Sequence, residues 1–110
     1  AAQCWDGIPF KSDYETILHS VGSAEGLLPF IRENEDGFRD TWQIYFQGMI
    51  QHKAEVYLYS ELDPEVVRST HLKPVEDMDR LVARLVEKYG PGCRICILPE
   101  GPHTIPYLEE

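Results

Sequence analysis

The chain is poor in positive charge, in cysteine and in long apolar runs. It carries 10 Lys and Arg against 19 Asp and Glu, a net charge of −9. A surface with that balance repels phosphate backbones and anionic lipid headgroups, so neither nucleic acid nor a membrane is expected as a partner. Three cysteines, an odd number, do not make a disulfide framework and point to a reduced compartment. No apolar run approaches the roughly 20 residues that a membrane-spanning helix needs. The opening AAQCWDGIPF has neither the basic start nor the apolar centre of a secretory leader. These absences predict a soluble, cytoplasmic protein. The G-x-S-x-G elbow, the phosphate loop and the dinucleotide glycine fingerprint are missing as well, and with them the commonest hydrolase and nucleotide-binding chemistries.

What is there is enough for one core: 110 residues, 43% of them hydrophobic. No repeat, low-complexity block or Pro/Gly/Ser linker divides the chain, which predicts a single domain over 1–110. It opens on AAQC without a methionine, so residues are expected to precede Ala1 and the chain is read as a fragment.

Local signals order the elements. The stretch from Ala2 to Trp5 reads as the tail of a strand that Asp6, Gly7 and Pro9 end. Ser12 followed by Glu15 is a capping box for a helix from Asp13 to about His19. Ser23 opens a second helix carrying Leu27, Leu28, Phe30 and Ile31, with Pro29 imposing a bend or a late start. A polar turn is expected over 36–40. After it, Trp42, Tyr45, Phe46, Met49 and Ile50 recur at helical spacing and predict one apolar, core-facing stripe. From Ala54 the period becomes two, with Val56 and Leu58 alternating with Tyr57 and Tyr59, as in a buried strand. Asp63 with Pro64 caps a short helix through Ser69. Pro74 is read as the start of a longer helix whose face is Val75, Met78, Leu81, Val82, Leu85 and Tyr89, with Gly90 as its left-handed cap. Cys93 to Leu98 read as a third strand, which Pro99, Gly101 and Pro102 end.

Strands separated by helices imply parallel pairing. The expected class is therefore α/β: a small, mostly parallel sheet of about three or more strands with helices packed on its faces.

The C-x-x-C of Cys93 and Cys96 raises redox or zinc chemistry. On a strand, however, side chains three residues apart point to opposite faces, and the Cα atoms stand about 10 Å apart, beyond disulfide reach. A zinc site would need two more ligands, and Cys4, His19, His52, His71 and His103 offer no paired spacing. Both thiols are expected to be buried and structural, and no metal ligand is assigned. In open parallel sheets ligands bind beyond the carboxyl ends of the strands. That rule would gather Asp6, Ser60, Glu61, Glu100 and His103 on one edge, either as polar loops or as a carboxylate and imidazole set for proton transfer or a hard cation. By spacing alone Trp42 is a core residue in the first turn of its helix.

The succession of AAQCWDG, then DTWQIYFQGMIQ with a hydrophobic strand after it, then a helix running into KYGPGCRICILPEGPHTIPYL, resembles the C-terminal domain of the lactate racemase family, the nickel-pincer-dependent 2-hydroxy acid racemases. The likeness covers nearly the whole chain, and the order of the motifs is more specific than any one of them. It implies a two-domain enzyme in which a nickel pincer nucleotide takes hydride from the α-carbon of a 2-hydroxy acid and returns it to either face. The family's lysine anchor for the cofactor, its nickel ligands and its proton-moving histidines lie in the N-terminal domain, so the resemblance implies no cofactor and no catalytic residue within this chain. The implied partners are that N-terminal catalytic domain of the same chain and a small 2-hydroxy acid. Trp42, in DTWQ, matches the tryptophan that lines the substrate side of the family's active site. The carboxylate-binding glutamine and lysine of the family would precede Ala1, and Lys11 does not take that role. DGIPFKSDY, with Ile8 and Pro9, departs from the glycine-rich turn of many members, which leaves the substrate open beyond its class. Two other readings stand beside this one: a stand-alone binding or regulatory module with the same fold, and a cation-binding domain built on Asp6, Glu61 and Glu100.

Overall fold

The computed structural model describes residues 1–34, 37–39 and 41–105. The chain divides into two compact units, Ala1–Met78 and the part from Asp79 onward. Among the described residues no helix is long and apolar enough to cross a membrane.

The first unit begins with helix α1 (Asp13–Ser20). Its start follows the capping box with one change of partner. Ser12 Oγ accepts from the Glu15 N–H at 3.0 Å, but the Glu15 carboxylate accepts from the Lys11 N–H at 2.7 Å, one residue earlier than the motif requires. Lys11 lies at φ +55°, and the left-handed turn there presents its N–H to the carboxylate. A 3-10 turn (Ala24–Gly26) leads into helix α2 (Leu27–Glu33). Pro29 therefore falls in the first turn of α2, where an N–H has no intrahelical acceptor to lose, and the expected late start is what occurs. Of the expected turn at 36–40, Asp36 and Asp40 lie outside the described residues. Beside them the Gly37 N–H donates to the Asn34 carbonyl at 3.0 Å.

Helix α3 (Trp42–Gln51) forms where its periodicity places it, but it turns the other way. Ile44 and Gly48 are its buried residues, whereas Trp42, Tyr45, Phe46 and Ile50 are between 44% and 58% exposed. The expectation that these aromatics face the core is thereby corrected. The cause is Gly48: a Cβ there would stand 3.0 Å from Leu28 Cγ and Cδ2 and 3.4 Å from Leu27 Cβ. Its missing side chain lets α2 approach α3 closely, and Ile44, one turn earlier, is carried into the same interface. Ile17, Leu18, Leu27, Ile31 and Ile44 form the core of α1, α2 and α3, ringed by Tyr14, Val21, Ala24, Phe30 and Phe38. At about 1.5–3 kcal/mol per buried aliphatic side chain, this cluster is the main stabilising feature of the unit.

Among the described residues the sheet has two strands, β1 (Tyr57–Tyr59) and β2 (Lys73–Val75), paired in parallel with Leu58 opposite Pro74. Helix α4 (Pro64–Ser69) connects them, opened by Asp63, whose Oδ1 accepts from the Glu65 N–H at 2.7 Å, with Pro64 at the first position. The class is α/β, with fewer strands than expected. Pro74 lies within β2 and does not open a helix. The Lys73 N–H donates to the Val56 carbonyl at 3.0 Å, so the next N–H would point away from β1 and its absence leaves the ladder intact. Val75 accordingly belongs to the strand, not to the following helix. The N-terminal segment runs beside the end of β1 without regular strand geometry: the Ala2 N–H donates to the Tyr59 carbonyl at 3.0 Å, and the Glu61 N–H to the Gln3 carbonyl at 3.4 Å.

Helix α5 (Met78–Tyr89), which belongs to the second unit from Asp79 onward, ends at Gly90, which takes φ +83° as a left-handed cap. The expected strand Cys93–Leu98 is not formed. The segment is irregular and open to solvent, with Ile97 79% exposed and Cys96 exposed, while Cys93 is half-buried. The reading of both thiols as buried is corrected with it. A strand needs a neighbour's ladder, and among the described residues of this unit none is offered.

Candidate functional site

The parallel pair places a groove of about 760 Å3 beyond the carboxyl ends of β1 and β2. Residues that leave the two strands form its walls: Ser60 and Glu61 follow β1, and Glu76 follows β2, while Gln3 enters from the N-terminal segment. Its floor includes Leu58, Leu62, Val67 and Val75. The groove is therefore where strand polarity places a ligand, next to the ends at which loops diverge from the sheet.

Two polar groups define its chemistry. Trp5 Nε1 donates to Glu61 Oε2 at 3.0 Å, which fixes one oxygen of that carboxylate and ties the N-terminal turn to the end of β1. The Cys4 carbonyl accepts from the Gly7 N–H at 3.0 Å and closes that turn, with Cys4 at φ +57° and Gly7 at φ +69°. Ser60 Oγ is buried and has no hydrogen-bond partner among the described residues. An unpaired buried hydroxyl costs about 1–3 kcal/mol, and such costs concentrate at functional sites.

Of the five polar residues expected on one edge, Ser60 and Glu61 do meet in this groove. Asp6 adjoins Trp5 in the turn but does not line it. Glu100 and His103 belong to the second unit, where the Glu100 carbonyl accepts from the His103 N–H at 2.7 Å in a 3-10 turn (Gly101–His103). Among the described residues no group of three or more His, Cys, Asp or Glu side chains is placed to hold a metal ion. Asp6 and Glu61 in the first unit and Glu100 in the second belong to no such group among the described residues.

Trp42 lines a different groove, of about 440 Å3, with Tyr14, Phe46, Ile50, Val56 and Leu72. Its ring meets Phe46 edge-on, with centroids 6.3 Å apart and planes at 79°. The Tyr14 hydroxyl donates to Gln47 Oε1 at 2.8 Å, and burial raises its pKa above the ordinary 10.0. Gln47 and Gln51 are tethered in turn, donating to the Thr70 and His71 carbonyls at 2.7 Å each. This face is thus apolar with a rigid amide border.

A third groove is lined by the basic side chains of His52, Lys53, Arg68, His71 and Lys73, together with Glu25 and Glu55. His71 stands at φ +63° and donates from Nε2 to the Leu18 carbonyl at 2.9 Å, which fixes the ring. The Glu25 carboxyl is held below its ordinary 4.5 by its own backbone N–H first, then by the Ser23 side chain, with His71 and His52 adding to the effect. Glu65 and Glu55 neutralise Arg68 and Lys73, so this is a mixed-charge surface and not a strong anion site.

No protein-family model, no curated protein and no solved structure matches the chain.

Proposed function

We propose that the chain is the C-terminal domain of a lactate racemase-like enzyme that interconverts the stereoisomers of a 2-hydroxy acid, and that it forms one wall of the interdomain cleft. The ordered succession of AAQCWDG, DTWQIYFQGMIQ and KYGPGCRICILPEGPHTIPYL carries this reading. Two features of the structure support it: an open groove beyond the carboxyl ends of a parallel strand pair, and a Trp42 that is 58% exposed in a groove, free to meet a ligand instead of filling the core. The resemblance places the nickel pincer cofactor and the hydride chemistry it supplies in the N-terminal domain. This chain would shape the cleft, exclude water from it and present an aromatic edge.

The test is division of labour. The isolated chain shows no racemisation of D- or L-lactate by chiral chromatography, whereas the two-domain enzyme does. In that enzyme Trp42→Ala lowers kcat/KM by more than tenfold, a loss of about 1.4 kcal/mol in transition-state binding, while Tm moves little. Racemisation by the isolated chain, or an equal loss of activity and stability in the variant, would overturn the assignment.

The uncovered aromatic stripe of α3 favours a second reading, a stand-alone binding module that docks through Trp42, Tyr45 and Phe46. The reading frame upstream of Ala1 separates the two. A preceding domain with a lysine and closely spaced histidines supports the enzyme, and a start codon immediately before Ala1 supports the module.

A further inference from the structure

The C-x-x-C pair lies outside the three grooves described above, and the fold changes its geometry. On a strand Cys93 and Cys96 would point to opposite faces, with Cα atoms about 10 Å apart. The segment is not a strand, so no ladder holds it at that length. It leaves α5 through a turn in which the Cys93 N–H donates to the Gly90 carbonyl at 3.1 Å. One more turn, from Cys93 to Cys96, brings the two Cα atoms within about 7 Å, inside the range that a disulfide spans. The two thiols differ in access. Cys96 is exposed, whereas Cys93 is half-buried and lines a groove of about 250 Å3 with Val82, Leu85, Val86 and Tyr89 of α5. Arg94, between them in sequence, lines the same groove and places a positive charge beside the pair in a chain whose net charge is −9.

We propose that Cys93 and Cys96 form a redox-active dithiol that exchanges with low-molecular-weight disulfides. The exposed Cys96 thiolate attacks one sulfur of the soluble disulfide and displaces the other as a thiolate. The Cys93 thiolate then attacks Sγ of Cys96, closes the ring and releases the second thiolate. The protein dithiol is oxidised by two electrons, the small disulfide is reduced to two thiols, and the two protons from the cysteines pass to its two sulfurs. Arg94 attracts an anionic disulfide to the pair. Cys4, half-buried in the first unit, takes no part, so three cysteines resolve into one ring and one bystander. The inference stands on the second unit and is independent of the racemase reading.

The folded chain is incubated with oxidised glutathione at neutral pH, alkylated and digested with trypsin. Cleavage after Arg94 separates the two cysteines into peptides 89–94 and 95–110, and Cys4 lies in 1–11, so mass spectrometry reads the pairing directly. Alkylatable thiols should fall from three per chain to one, with 89–94 joined to 95–110 and no glutathione retained. Cys4→Ser should form the same ring. Cys93→Ser should stop at a mixed disulfide on Cys96, since no second thiol is there to displace the glutathione. Cys96→Ser should react about tenfold more slowly than Cys93→Ser, the effect of access at the half-buried thiol. A link between 1–11 and either peptide, glutathione retained on the unsubstituted chain, covalent dimers, or three thiols still open to alkylation would overturn the inference.

Discussion

The three-helix cluster of the first unit and the segment from Cys93 to Leu98 in the second are both apolar stretches, and only one of them is buried. In the cluster, Leu18, Leu27 and Ile44 have no exposed surface. In the segment, Ile95, Ile97 and Leu98 all face solvent. A helix satisfies its backbone internally and needs only a face to pack, whereas an extended segment must find a neighbour for its backbone as well as for its side chains. Apolar composition therefore decides burial for α1, α2 and α3 but not for CRICIL.

Four substitutions probe that contrast, with urea unfolding followed by tryptophan fluorescence. Trp5 and Trp42 are the two tryptophans and both lie in the first unit, so the signal reports that unit. Leu27→Ala removes a fully buried side chain from the α2 contact and should destabilise the unit by about 3 kcal/mol. Gly48→Val forces Leu28 away from α3 and should cost about 2 kcal/mol, although valine is the better helix former. A neutral result there would mean that α2 and α3 do not meet at this glycine. Ser12→Ala removes the acceptor of the Glu15 N–H and should cost about 1 kcal/mol. Ile97→Ser should change stability by less than about 0.5 kcal/mol, and a loss above 1 kcal/mol by calorimetry would mean that the segment is packed after all.

The parts that were legible in the sequence are those with local causes. Ser12 and Glu15, Asp63 with Pro64, and Gly90 each mark a helix end through a bond or a dihedral within a few residues, and each does so in the structure. The orientation of α3 was hidden because the periodicity counts side chains, and the residue that decides the packing, Gly48, has none. Pro74 was ambiguous for a different reason: a first helical turn and an outward-facing strand position both tolerate a missing N–H. CRICIL alternates no differently from a buried strand, and it is distinguished by having no paired neighbour among the described residues.

The candidate site divides in the same way. Strand polarity was enough to bring forward Ser60 and Glu61. The contributions of Trp5, Gln3 and Glu76 depend on bringing the N-terminal segment to β1 and on the register of β1 with β2, contacts far apart in sequence. Asp-Gly after Trp5 signals a turn, but nothing local says that its indole reaches Glu61, 56 positions on. The grouping of Glu100 and His103 with these residues assumed a third strand, and it lapses with that strand.

Pro74 also gives the sheet a direction of growth. A strand approaching β2 from its outer side would meet a gap where a donor should be, which blunts the edge-to-edge stacking that leads to aggregation. The opposite side of β1 is already engaged by backbone at Ala2 and Gln3. A further strand, from the same polypeptide or from another, would extend the sheet on the β1 side alone, by converting that short, irregular contact into a continuous ladder.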